Sequence, residues 1–129
     1  MAIAKPIQMI LARQLASCVA MPILLIDSEG TLVFYNEPAE KILNQRFDET
    51  GEIPAEDLIK LVAVQDEDRR SISAEERPTM VARTERRPVS RTIWTKSGDS
   101  EWKHLQVTAL PLVGESGDVL GVMHLFWEI

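Results

Sequence analysis

At 129 residues, 45% of them hydrophobic, the chain is long enough for one domain with a real core and too apolar to be disordered. Twenty acidic against 14 basic residues leave a formal charge of −6, which argues against nucleic acid and anionic membranes as partners, since both favour a basic surface. One cysteine, Cys18, excludes an internal disulfide, two histidines are too few for a four-ligand structural zinc site, and no apolar run is long enough to cross a bilayer.

The first element is a helix over residues 6–18, with Pro6 at its start, where a missing N–H costs little. Ile7, Ile10, Leu11 and Leu15 recur on one stripe, and Lys5, Gln8 and Arg13 lie off it, so the helix is amphipathic. Leu15-Ala16-Ser17-Cys18 has the form of a bacterial lipobox, but Gln8, Arg13 and Gln14 interrupt the apolar segment a secretory signal needs. A cytoplasmic location follows as the expectation, with Cys18 a buried small residue near a helix end.

Residues 22–27 and 31–35 are short apolar runs around Gly30, a hairpin signal. Neither run alternates, so both strands should be covered on both faces. Asn36 reads as the N-cap of a helix over 37–43, with Glu37 and Glu40 near its positive end. Residues 44–54 read as loop, and 55–62 as a helix with Leu58, Leu61 and Val62 inward. The QDEDRR segment is a solvated turn. Ser73 to Glu76 forms a capping-box pattern for a helix towards Arg83, unless the regular helix starts at Pro78. Strands near 88–96, 100–112 and 119–128, joined by Gly-containing loops, read as an antiparallel meander. Strands at both ends and helices between them give an α+β domain with a helical layer on one antiparallel sheet.

The stretch LLIDSEGTLVFYNEPAEKIL carries Asp27, Gly30, Asn36, Pro38 and Ala39 in the order apolar strand, Asp, turn, Gly, apolar strand, Asn, helix. Together with AEERPTMVARTERRPV and the final VTALPLVGESGDVLGVMHLFWEI it resembles a PAS domain over residues 20–129, in particular short bacterial proteins that are little more than one such domain. The resemblance implies a PAS fold: a five-stranded antiparallel sheet in order 2-1-5-4-3 with short helices on one face, here preceded by an amphipathic flanking helix within residues 1–19. It implies a pocket between sheet and helices and a role in sensing or dimerisation, not catalysis. No phosphate-binding loop, nucleophile elbow or buried carboxylate pair argues otherwise.

Within that resemblance, flavin photochemistry lacks its cysteine: the region after the early helix reads NQRFDETGE. Haem lacks a histidine on the helix before the third strand, which carries Thr79, Met80 and Val81. No cofactor is therefore expected. His124 lies on the last strand, beside Val107 in one register and Thr108 in the next, and a one-residue slip reverses its face. The family pattern favours Leu105, Val107, Ala109, Val122, His124 and Phe126 inward. The expected pocket is small and apolar, lined by Met80, Leu105, Val107, Val122 and His124. Arg83, Arg86, Arg87 and Arg91 could hold an acid by bidentate pairing, but read more simply as a solvated face balancing Glu75, Glu76 and Glu85.

Trp94 and Trp102 stand four residues either side of Gly98, which predicts a cross-strand pair on the outer face, with Met123, Leu125 and Trp127 also outward. A patch of that size needs cover. The expectation is a homodimer in which Ile7, Ile10, Leu11 and Leu15 pack with Trp94, Trp102 and Trp127 of the sheets; the alternative is a monomer whose own helix folds over the tryptophans. The chain thus reads as a non-enzymatic sensor or adaptor without an output domain of its own. It would bind a small apolar or acidic ligand, or a signalling protein. The alternative is a haem or small-acid sensor using His124 or the arginine cluster.

Overall fold

The computed structural model describes residues 6–129. In chain order the elements are α1 (Ile7–Cys18), β1 (Ile23–Asp27), β2 (Leu32–Tyr35), α2 (Glu37–Leu43), α3 (Phe47–Thr50), α4 (Ala55–Leu61), β3 (Val62–Gln65), α5 (Pro78–Glu85), β4 (Val89–Ser97), β5 (Lys103–Val113) and β6 (Val119–Glu128). All strand pairs are antiparallel, in the order β2-β1-β6-β5-β4-β3. This is the expected PAS arrangement with a sixth strand added at the edge. Lys5 and the rest of residues 1–5 of the flanking segment lie outside the described residues.

The β1–β2 turn forms because Asp27 Oδ1 accepts from the N–H of Glu29 at 2.9 Å and of Thr31 at 3.0 Å, while Gly30 takes φ +89°. Central β6 pairs with β1 along Ile23–Asp27 and with β5 along Leu105–Val113. A register shift at Leu112/Val113 sets His124 opposite Ala109 and Phe126 opposite Val107. The expected partner of His124 was Val107 or Thr108. The two-residue difference from Val107 keeps the face, so Leu105, Val107, Ala109, Val122, His124 and Phe126 share the inner side.

The sheet separates two apolar cores. Leu24, Ile26, Tyr35, Leu105, Val107, Val122 and Phe126 face α2 to α5. Ile23, Leu25, Val33 and Met123 face the other way and are covered by Met9, Ala12 and Ala16 of α1. This two-sided cover explains the absence of alternation in β1 and β2.

Four local expectations are corrected. Residues 47–50, read as loop, make a helical turn that sets Phe47 edge-on to Phe34 and Tyr35 at centroid separations of 5.3 and 5.2 Å. Val62 does not continue α4 but opens β3, which pairs with β4 from Ser97 to Trp94. Ser73 to Glu76 gives only a 3-10 turn. The regular helix starts at Pro78, the second of the two expected starts. Cys18, expected to be buried, is exposed. No helix among the described residues is long and apolar enough to cross a membrane.

Candidate functional site

Between the inner sheet face and the helices lies a cavity of about 80 Å³. Its apolar walls include Leu24, Ile42, Leu58, Ile93, Leu105 and Phe126, and the start of α5 contributes Pro78 and Thr79. Four buried side-chain polar atoms among the described residues lack a hydrogen-bond partner: Arg77 Nε, Ser97 Oγ and both ring nitrogens of His124. All three residues line this cavity. Buried donors and acceptors without a protein partner are uncommon, and their presence on the lining of one cavity makes it the candidate site.

The register separates these residues. Ser97 stands opposite Val62, and Arg77 Nη2 donates to the Val62 carbonyl at 2.9 Å, so Arg77 and Ser97 share one end. His124 stands in the row of Ala109 and Val89, at the far end of β4 from Ser97. Desolvation alone lowers the His124 pKa to about 4, leaving a neutral imidazole at neutral pH. Desolvation also lowers the pKa of Arg77. No ion pair among the described residues involves Arg77.

Of the residues expected in the pocket, Leu105 and His124 line the cavity, while Val107, Val122 and Met80 do not. Val107 and Val122 are wholly buried with Ala82, whose small side chain lets α5 close onto that part of the sheet. Pro78 and Ala82 are the buried positions of α5, four residues apart. Met80 lies off that stripe, and its sulfur accepts from Arg83 Nη2 at 3.2 Å. The four expected arginines do not converge on a common point. Arg83 donates to the Ser28 carbonyl at 3.3 Å, Arg87 pairs with Glu85 at 2.8 Å, and Arg86 sits in a left-handed turn. The arginine that lines the cavity is the half-buried Arg77, which sequence reasoning missed; its signal was an Arg-Pro step opening a helix.

The outer face also departs from expectation. Trp94 pairs with His104, not Trp102, because a five-residue loop after Ser97 moves the centre of the hairpin to residue 99. The two rings stack at 4.3 Å and 9°, and His104 Nε2 meets Glu67 Oε1 at 2.6 Å. Arg69 covers Trp94 at 4.2 Å and Trp102 at 5.4 Å, so these two tryptophans are partly covered from within the chain. The inward stripe of α1 is Met9, Ala12 and Ala16; the expected stripe points outward, with Ile7 66%, Ile10 46%, Leu11 55% and Leu15 56% exposed. Small residues allow close approach to the sheet, and Gly121 leaves room for Met9: a Cβ there would stand 2.6 Å from its sulfur.

A family model described as a PAS fold matches residues 18–129. No curated protein matches the chain by sequence. Among solved structures, the PAS domain of a Colwellia psychrerythraea protein is similar, with a TM-score of 0.64 at 13% identity, covering 93% of this chain and 97% of that one. The PAS domain of nitrogen regulation protein NR(II) from Vibrio parahaemolyticus gives 0.63 at 15%, covering 92% and 98%. A Rhodobacter sphaeroides LOV protein gives 0.70 at 13%, covering 97% of this chain and 69% of that one. At these identities the likeness is one of fold alone.

Proposed function

The chain belongs to the PAS-fold family, whose members are generally signal-sensing modules, and on that premise we propose that it senses a small molecule in the inner cavity and acts as a non-enzymatic homodimer. One observation carries the sensing role: among the described residues, the buried polar side-chain atoms left without partners all belong to residues lining one apolar cavity. A cavity of about 80 Å³ is well below the roughly 300–1,000 Å³ of drug-sized ligand sites. That size favours a ligand far smaller than flavin or haem. His124 gives no support to haem either, since it is set in a row with Leu24 and Ala109 in that small space.

The dimer is favoured by the two-sided apolar character of α1. One side is used by the chain's own sheet, and the other presents Ile7, Ile10, Leu11 and Leu15; Trp127 of β6 is exposed as well. The same stripe on a second copy is self-complementary about a two-fold axis. Asn36 joins cavity side to dimer side. It caps α2, whose Leu43 lines the cavity, and donates to the Ala16 carbonyl at the end of α1 at 3.0 Å.

Native mass spectrometry with an absorption spectrum tests this reading. A colourless dimer that carries or takes up a small molecule is expected. A protein that binds none, or one with a flavin or Soret band, would contradict it.

A further inference from the structure

The Arg77 end of the cavity has an unbalanced charge. The guanidinium is held by carbonyl oxygens only, Nη2 reaching Val62 at 2.9 Å and Ile59 at 3.4 Å, while Nε is buried without a partner. The side chain is half-buried, and partial desolvation without a counter-charge is the cause of its lowered pKa. Beside it, the buried Ser97 hydroxyl is also unpartnered. The eight-residue helix α5 starts at Pro78, immediately after Arg77, and turns Pro78 and Thr79 to the same cavity, so the positive end of its dipole lies there too. A guanidinium, a free hydroxyl and a helix N-terminus can all be satisfied at once by one negatively charged acceptor. Glu101 lies on the cavity wall as well, but it is exposed and makes no ion pair with Arg77.

We propose that this end of the cavity is an anion subsite for a short aliphatic carboxylic acid, its carboxylate on Arg77 Nε and Ser97 Oγ and its tail along Ile93, Leu105 and Phe126. The proposal rests on reading the cavity as a ligand site. The size agrees: about 80 Å³ holds two to three waters at roughly 30 Å³ each, or a small acid of like bulk. The walls agree as well, since beyond Arg77 and Ser97 the lining passes to Ile93, Leu105 and Phe126 before reaching His124. Water could satisfy these hydrogen bonds too; a carboxylate would add charge pairing with the half-buried guanidinium, which the acid-to-amide comparison reads directly.

Calorimetry and thermal shift with propionate and butyrate, set against propionamide and butyramide, test it on the full chain. The acids should bind, and at least tenfold more tightly than the amides of the same shape. Arg77→Gln should abolish that preference, Ser97→Ala should weaken acid binding several-fold, and Glu101→Gln should tighten it. Where Arg77→Gln fails to fold by circular dichroism, the acid-to-amide ratio of the wild type and the Ser97→Ala result decide. Amides that bind as well as acids, or a folded Arg77→Gln that keeps the preference, would overturn the anion subsite and leave the sensing role standing. Binding by neither series, together with no small molecule retained in native mass spectra, would overturn both.

Discussion

Asn36 is buried and uses both ends of its amide. Oδ1 accepts from Ile23 N at 3.0 Å and Ala39 N at 3.2 Å; Nδ2 donates to the carbonyls of Ala16, Val19 and Met21 at 3.0, 3.4 and 2.9 Å. One side chain therefore caps α2, starts β1 and ties the end of α1 to the sheet. Asn36→Ala would strip a cap and leave buried backbone groups unpaired, and should cost roughly 2–4 kcal/mol in urea unfolding. Asn36→Asp keeps the acceptor but loses the donors to α1 and its linker. Amide exchange should then rise across residues 7–21 more than across α2; equal rises would contradict this division of labour.

His124 makes stability depend on pH. Its folded pKa of about 4 lies below the unfolded value of 6.5, so between those values the unfolded chain binds a proton that the folded chain refuses. Its stability contribution is complete above pH 6.5 and is lost as pH falls towards 4, about 3 kcal/mol in the limit. The other charged side chains on this cavity are Arg77 and Glu101, so the comparison must be with a variant, not with an absolute curve. His124→Leu removes two unpartnered buried nitrogens and should be the more stable protein at pH 5, with a flatter profile from 6.5 to 4. Parallel profiles would refute the assignment.

At the scale of elements, the parts written in strong local chemistry were legible. Asp27-Ser28-Glu29-Gly30, the Asn36 cap and the Gly-containing loops placed β1, β2, α2 and the three long strands within a few residues of where they stand. β3 was not legible, because Val62 follows Leu61 with no turn residue between helix and strand; its strand character comes from pairing with β4. The facing of α1 was misread for a related reason. Ile7, Ile10, Leu11 and Leu15 form the more hydrophobic stripe, but Met9, Ala12 and Ala16 fit the sheet, and fit overrides hydrophobicity where backbones come close. At the site, Leu105 and His124 could be found from strand parity, whereas Arg77 depends on α5 starting at Pro78.

Gly121 is the contact on which α1 docking turns. A Cβ there would strike the Ile26 carbonyl oxygen and crowd Met9. Gly121→Ala should cost about 1–3 kcal/mol. Met9→Ala in the same chain should recover only part of that loss, since the carbonyl cannot move away. Full recovery, read from denaturation midpoints, would mean that the crowding involves the helix alone.

For the whole molecule, the sheet is a partition. Its inner face carries the cavity, its outer face carries α1, and β1 and β6 belong to both cores. Leu43 and Leu24 of the cavity wall belong to α2 and β1, the two elements that Asn36 ties to the end of α1. Under the proposed function the outward side of α1 is the dimer surface, and pairing of two such helices is the central claim. Sedimentation of the wild type beside Ile10→Asp/Leu11→Asp, at tens of micromolar, tests it most directly. A wild-type dimer and a folded, monomeric double variant are predicted; a monomeric wild type, or a double variant that remains a dimer, would contradict the account.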